Sequence, residues 1–349
     1  AQAWCAATFY SLHRIKPTGR YHIQVDCGIP SVIAGADAVL SRLKKILDIG
    51  VGDSTPCGTF TLTTVEDLGA ADIAPVIRVN DSYYGHLTPD SAEELVHSIE
   101  EGSPPTASGP STFKSTCGII LGKEGPPESA ELSFYERRGG YRSLEKARSI
   151  SREMIIAMVD ESGLRGRGGA AFPTGRKWRL ADGGDGPVYL VCNADEGEPG
   201  TFKDRFILER NPHLLLEGMA IASRAIGASK AFVYIRGEYR RGSATLQKAI
   251  DEASAAARLG NSEITIHHGS GSYVCGEETA LIASLEGNRG EPRPKPPFPA
   301  ERGLYDLPTV VNNVETLACL PFIIGTSPPS FENVSPRLFS VSGHVRSPG

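Results

Sequence analysis

Five glycines crowd the run Gly163-Leu-Arg-Gly-Arg-Gly-Gly-Ala-Ala-Phe-Pro-Thr-Gly-Arg-Lys177, at Gly163, Gly166, Gly168, Gly169 and Gly175. Main chain without side chains approaches a phosphate closely and offers it N–H groups. Downstream, Asn193-Ala-Asp-Glu-Gly-Glu-Pro-Gly-Thr-Phe-Lys203-Asp204 supplies carboxylates and an amide suited to sugar hydroxyls and a ring edge. Together the two segments read as a nucleotide-cofactor pocket. The pattern Gly166-Arg-Gly-Gly-Ala-Ala171 departs from G-x-G-x-x-G and precedes a strand instead of following one, which argues against an ordinary dinucleotide fingerprint. The chain has no Gly-Lys-Ser/Thr, which excludes a P-loop.

The elements that must position these residues alternate. Helical patterns at Ser143–Ala147 and Met154–Ser162 lead into the glycine run. Val188–Cys192 reads as a buried strand, Leu214–Ile226 as a helix, Ala231–Ile235 as a strand, Tyr239–Ala257 as a helix and Ile264–His267 as a strand. This alternation implies a layered α/β domain with a largely parallel sheet, in which ligands gather at the carboxyl ends of strands. Asn193, Asp195, Glu196 and Glu198 directly follow one such end.

Ahead of these lies a smaller mixed α/β unit. Its expected strands are Tyr21–Val25 and Pro75–Asn80, and its expected helices are Ala36–Leu47 and Ser91–Ile99, the latter capped by Asp90. Glu101–Thr112 is rich in Pro, Gly and Ser and reads as a linker. The division expected is therefore 1–100, a linker over 101–115, a cofactor domain over 116–330, and the beginning of a further domain at 331–349 with its first strand at Leu338–Val345. The chain starts at Ala1 and ends on the turn signal Ser347-Pro-Gly349, as expected of a fragment.

The bulk properties narrow the function class. A chain of 349 residues, 40% hydrophobic, exceeds what one core usually supports. The formal net charge of -5 gives no basic footprint, so no nucleic-acid partner is expected. No apolar run approaches the ~20 residues of a membrane span, so no membrane insertion is expected. The seven cysteines include no C-x-x-C pair, and His267 and His268 have no partner at metal-ligand spacing. No metal site is expected, Cys275 is expected to pack and not to do redox chemistry, and with no secretory signal visible a reducing compartment follows.

Further motifs sharpen the reading: Gly269-Ser-Gly-Ser-Tyr-Val-Cys-Gly-Glu-Glu-Thr279, Leu285-Glu-Gly, Pro294-Lys-Pro-Pro-Phe-Pro299 and Pro308-Thr-Val-Val-Asn-Asn-Val-Glu-Thr316. In this order they resemble the flavin-binding subunit of NADH:quinone oxidoreductase (respiratory complex I) and its relatives in NAD-dependent hydrogenases and formate dehydrogenases. The segment from Ala7-Thr-Phe-Tyr through Gly35-Ala36 to Leu87-Thr-Pro resembles the thioredoxin-like partner subunit that carries a two-iron two-sulfur cluster. The resemblance implies a thioredoxin-like N-terminal domain, a Rossmann-like FMN-binding α/β domain and the start of a ubiquitin-like β-grasp (SLBB) domain.

It also implies an activity: an NADH dehydrogenase of the electron-transport type, a flavoprotein in which NADH stacks on FMN and hydride transfer proceeds by positioning, with no protein acid or base. The roles follow residue by residue. Gly166, Gly168 and Gly169 let main chain pack on FMN and the dinucleotide, and Lys177 supplies positive charge. Asn193 and Asp195 hold ribityl hydroxyls or the flavin edge, with Glu196 beside them, and Glu198 contacts the nicotinamide side. Asn312, Asn313 and Thr316 bind the phosphate end. Tyr273, Gly276, Glu277 and Glu278 form a wall shared by FMN and NADH, with Glu278 repelling a 2'-phosphate. Phe172 and Phe298 offer faces to the adenine. The implied partners are NADH and the other subunits of a respiratory, hydrogenase or formate dehydrogenase complex, a translocase in the first case. The implied place is the cytoplasm or, peripherally, the cytoplasmic face of the inner membrane.

Three departures stand out. The family's cluster ligands, C-x4-C and C-x3-C, align with Asp26, Ser31, Asp67 and Ala71, so no two-iron two-sulfur cluster is expected. Ala171 stands where relatives have glycine, which strains the site if φ there is positive, and Leu180 replaces an aromatic. Relatives carry a four-iron four-sulfur cluster in a later helical bundle, beyond Gly349. The rival reading is a structural or assembly subunit that keeps the fold without the activity.

Overall fold

A computed structural model describes all residues except 1, 110, 112, 114–117, 122–126, 182–185, 261 and 327. Cys117 and parts of the expected linker lie outside the described residues. The chain divides into two compact units, residues 12–113, 197–203 and 339–349 in one, and residues 1–11, 114–196 and 204–338 in the other.

The first unit holds a four-stranded sheet, β1 (Tyr21–Asp26), β2 (Phe60–Val65), β3 (Ile77–Val79) and β4 (Ser82–Tyr84), in the order β2-β1-β3-β4. β1 pairs parallel with β2 and antiparallel with β3, and β3 pairs antiparallel with β4. Helix Ala36–Leu47 buries Val39, Leu43 and Leu47 at helical spacing, and helix Pro89–Glu100 buries Ala92, Leu95, Val96 and Ile99. These close one core with Ile23, Val25, Phe60, Leu62 and Ile77. Full burial of each such Leu, Ile or Val contributes roughly 1.5–3 kcal/mol. The cap expected at Asp90 is instead Thr88: its Oγ1 accepts from Ser91 N at 3.2 Å while Ser91 Oγ accepts from Thr88 N at 2.9 Å. Pro89, at the first helical position, moves the start one residue earlier than Asp90 allows.

The second unit carries a wholly parallel sheet, β5 (Val188–Ala194), β6 (Ala228–Ile235), β7 (Glu263–His268) and β8 (Thr309–Asn313), in the order β7-β6-β5-β8. The crossover helix Pro212–Ile226 is apolar on nearly every side and almost entirely buried, ending at Gly227 with φ 73. The next helix runs Arg240–Ala255 and not to Ala257, whose φ of 55 is left-handed. The chain winds from β5 to β7 on one side and returns to place β8 on the other, so the order reverses between β5 and β8. A crevice at that reversal, outside the strands' carboxyl ends, is where open α/β sheets bind ligands. Helix Gln2–Phe9 also belongs to this unit.

Residues 338–345, expected as a strand, fall in no helix or strand. Val341 and Gly349 exchange backbone hydrogen bonds at 2.9 Å each, which closes this segment on itself.

Candidate cofactor site

The register sets Cys192 beside Asn312 and Asn193 beside Asn313, bringing three asparagines to the reversal point. Asn193 Nδ2 donates to the Gly276 carbonyl at 2.9 Å, and its Oδ1 accepts from Asp195 N at 3.0 Å. Asn312 Oδ1 accepts from Trp178 Nε1 at 2.9 Å in the interior. Asn313 caps helix Val314–Ala318 by accepting from Glu315 N at 2.9 Å, and its Nδ2 donates to Asp204 Oδ2 at 2.7 Å. Thr316, fully buried, accepts from Arg167 N at 2.9 Å and so ties the glycine run to the end of β8.

The glycine run is a tight loop, closed where Gly166 N donates to the Phe172 carbonyl at 2.9 Å. A Cβ on Gly168 would stand 3.2 Å from Asn313 Cβ, and Gly169 has φ 113, so both positions call for glycine. Ala171 has φ 51, the left-handed conformation in which its methyl group is strained. In the helix that follows, Lys177 Nζ donates to Glu278 Oε2 at 2.7 Å and to the Val311 carbonyl at 2.9 Å. Lys295 Nζ lies 2.7 Å from Glu277 Oε1 and 3.4 Å from Glu278 Oε1. Glu277 also caps helix Glu278–Leu285 by accepting from Thr279 N and Ala280 N. Two carboxylates and two ammonium groups therefore alternate along this wall.

Glu196 is buried and caps the helix after it: its carboxylate accepts from Asp204 N at 3.1 Å, Arg205 N at 3.3 Å and Tyr239 Oη at 3.0 Å. Burial pushes the Asp195 carboxyl up to about 7, with Arg236 opposing the shift and Glu238 adding to it. Arg236 itself is anchored, its Nη1 on the Glu196 carbonyl at 2.5 Å and its Nε on Glu238 Oε2 at 3.3 Å. Glu198 lies in segment 197–203, which belongs to the first unit, and its carbonyl accepts from Thr201 Oγ1 at 2.6 Å.

Apolar faces are open to solvent at Phe172 (42% exposed), Phe298 (50%) and Tyr273 (65%), unusual values for aromatic side chains of a packed domain. Leu180, at 52%, offers a smaller face. Gly276 lies close enough to Asp195 that an added Cβ would stand 3.4 Å from its carbonyl oxygen. Cys275 is buried beneath this wall, and burial pushes its thiol up. His267 stacks on Tyr234 at 5.3 Å and His268 Nε2 meets Ser243 Oγ at 2.7 Å, ordinary packing roles for both.

Trp178, Lys295 and Arg236 bond directly to these candidate residues, although reading the motifs does not select them. The first follows Lys177 directly, the second lies inside the quoted Pro-rich motif, and the third follows the carboxyl end of β6 as Asp195 follows that of β5. Strand position was the available signal for Arg236.

Two family models match. Residues 159–321 match the Nuo51 FMN-binding domain and residues 1–100 match the thioredoxin-like [2Fe-2S] ferredoxin. The F subunit of NADH-quinone oxidoreductase from Aquifex aeolicus (strain VF5) is 51% identical over 250 residues, covering 68% of this chain and 59% of the relative. The alpha subunit of the NAD-reducing hydrogenase HoxS from Cupriavidus necator is 36% identical over 363 aligned residues, covering 98% of this chain and 60% of the relative. A crystal structure of an NAD+-reducing [NiFe]-hydrogenase in the H2-reduced state superposes with a TM-score of 0.88 at 36% identity, covering 100% of this chain and 61% of that one. The chain thus spans about six-tenths of the length of these relatives.

The match at residues 1–100 corrects one expectation. Its family is described as a [2Fe-2S] ferredoxin, so the fold family implies a two-iron two-sulfur cluster, against the expectation of none. The residues at the four aligned positions do not fit thiolate ligation. Asp26 Oδ1 accepts from Gly28 N at 2.9 Å and Oδ2 from Leu68 N at 2.8 Å, Asp67 Oδ2 accepts from Gly69 N at 3.0 Å, and Ala71 has no donor atom. Among the described residues no group of three or more His, Cys, Asp or Glu is placed to hold a metal ion. Residues 159–321 thus belong to the Nuo51 FMN-binding domain family and residues 1–100 to the thioredoxin-like [2Fe-2S] ferredoxin family, and nearly the whole chain is similar to the alpha subunit of the NAD-reducing hydrogenase.

Proposed function

We propose that this chain is an NADH-oxidising flavin module that binds FMN and NADH at the carboxyl ends of β5 and β8 and passes electrons into a larger redox complex. The observation that carries this reading is the seating of the glycine run on Asn313 and Thr316 at the point where the strand order reverses. There the main chain, with no Cβ at Gly166, Gly168 or Gly169, forms a cradle that suits a phosphate-bearing planar group. When bound, FMN supplies hydride acceptance and one-electron release.

The chain's own residues bind and orient. Asn313 and Thr316 fix the loop, and Asn312, held by Trp178, fixes the strand end beneath it. Asn193, Asp195 and Glu196 form the polar border, in which Asp195 holds its proton up to about pH 7. Tyr273, Phe172 and Phe298 give stacking faces for the nicotinamide and adenine ends of the dinucleotide. Glu277 and Glu278, bridged by Lys295 and Lys177, set the charge that meets the ribose and phosphates. Catalysis is then a matter of holding the nicotinamide against the flavin ring.

The proposed partners are the other subunits of a respiratory, hydrogenase or formate dehydrogenase complex, since the matching proteins are named as subunits of two of these. Among the described residues no helix is long and apolar enough to cross a membrane. The attachment proposed at the inner membrane's cytoplasmic face is peripheral and runs through those subunits. Titration of FMN with the purified chain tests the site. Quenching of flavin fluorescence by the wild type, lost in a folded Gly168→Val variant, supports it; a wild type that leaves FMN free overturns it.

A further inference from the structure

We propose that residues 2–11 are a positioning element of the dinucleotide wall, through Tyr10 and Ser11, an inference that rests on the NADH-binding reading above. The wall residues Tyr273, Gly276, Glu277 and Glu278 lie on one stretch of chain, a short 3-10 turn (Tyr273–Gly276) followed by helix Glu278–Leu285. That stretch is gripped at both ends by the distant N-terminal segment. At its start, Ser11 N and Ser11 Oγ both donate to the Gly271 carbonyl at 2.9 Å, and Gly271 has φ 81. At its end, Tyr10 Oη donates to the Asn288 carbonyl at 2.9 Å and stands 3.0 Å from Ser284 Oγ.

The grip is built into the interior. Tyr10 is buried in one cluster with Tyr234, Cys275, Leu281, Ile282 and Leu304, and Tyr234 Oη meets the same Ser284 Oγ at 2.8 Å. Arg289 lies over the Phe9 ring at 4.5 Å, fixing helix Gln2–Phe9 to the turn that ends the stretch. A Cβ on Gly290 would stand 2.4 Å from Cys275 Sγ and 3.5 Å from Tyr10 Oη, so turn, thiol and tyrosine are in close contact. Surface loops not held in this way must lose conformational freedom when a ligand binds, and that loss weakens affinity. Tyr10 and Ser11 remove it beforehand, without touching the dinucleotide.

The experiment compares the full, FMN-loaded chain with Tyr10→Phe and with Tyr10→Phe/Ser11→Ala, measuring KM and kcat for NADH with an artificial electron acceptor. The expected result is a KM for NADH raised about 5-fold, the scale of one lost hydrogen bond, with kcat and FMN content unchanged. An unchanged KM, or a fall in thermal stability or FMN content alone, overturns the proposal, because a purely structural tyrosine gives that pattern. Amide hydrogen exchange at 271–277 runs in parallel. Should the wild type be inert toward NADH, the functional reading fails. The exchange then decides the positioning claim: faster exchange in Tyr10→Phe supports it, equal exchange overturns it.

Discussion

Lys177 Nζ sits 2.7 Å from Glu278 Oε2 and 2.9 Å from the Val311 carbonyl oxygen. One ammonium group therefore joins the helix after the glycine run, the start of the helix that carries the acid pair, and strand β8. In Lys177→Met, Glu278 keeps only the longer contact to Lys295 at 3.4 Å. We expect a stability loss of about 1 kcal/mol, the upper end for a partly exposed ion pair, read as a lower denaturant midpoint at unchanged slope, together with reduced FMN loading.

Ala171 at φ 51 and Gly169 at φ 113 make an opposed pair. An alanine in the left-handed region costs roughly 1–2 kcal/mol, and the extra freedom of glycine in the unfolded chain returns roughly 0.4–1 kcal/mol of that. Ala171→Gly is therefore expected to leave stability unchanged or raised by up to about 1.5 kcal/mol, with NADH bound at least as tightly. Gly169→Ala is expected to destabilise. Chemical unfolding of both variants checks the signs.

Trp178→Phe keeps the buried ring but removes the N–H that satisfies Asn312 Oδ1. Leaving a buried acceptor unpaired costs about 1–3 kcal/mol, and the loss should appear both in unfolding and in weaker flavin retention.

The Asp195 carboxyl, held up to about 7 by burial, makes stability depend on pH. The folded state binds this proton more tightly than the unfolded chain, whose carboxyl has the ordinary value of 3.8. Its contribution is present in full below about 4 and is lost as pH rises from there through about 7. Asp195→Asn is expected to flatten stability across that window; an unchanged slope in unfolding measured at several pH values counts against the assignment.

Cys57 is exposed, and its hydrogen bonds with Thr55 and Thr59 lower its thiol to about 7, whereas burial raises that of Cys27. Because the thiolate is the nucleophile, alkylation at neutral pH followed by peptide mapping should label Cys57 well before Cys27.

Much of the cofactor unit was readable because a parallel strand buried on both faces is a run of apolar residues, as at Val188–Cys192 and Ala231–Ile235. The carboxylates after β5 were readable for the same reason, since a strand end gives them a place. Their roles were less so. A glutamate looks the same in sequence whether it faces a ligand or, like Glu196, caps a helix from the interior. β2 escaped notice because Phe60-Thr-Leu-Thr-Thr-Val alternates with threonine and has little apolar weight, although its β-branched residues were a signal. The attachment of Tyr10 to Ser284 and Asn288 joins positions more than two hundred residues apart, and no local pattern reports that. At residues 1–100 the four positions read as ligand positions lack cysteine, yet the whole segment matches a [2Fe-2S] ferredoxin family, so reading four residues alone was a poor guide to the family.

The central claim is that one pocket, at the carboxyl ends of β5 and β8, holds both FMN and NADH. Anaerobic addition of NADH to the FMN-loaded chain, followed by the flavin absorption spectrum, tests it most directly. The account predicts that the yellow flavin bands of the wild type bleach with NADH, and that a folded Gly168→Val variant carries no bound flavin to bleach. A chain that takes up no FMN, or whose bound flavin stays oxidised in excess NADH, would contradict it.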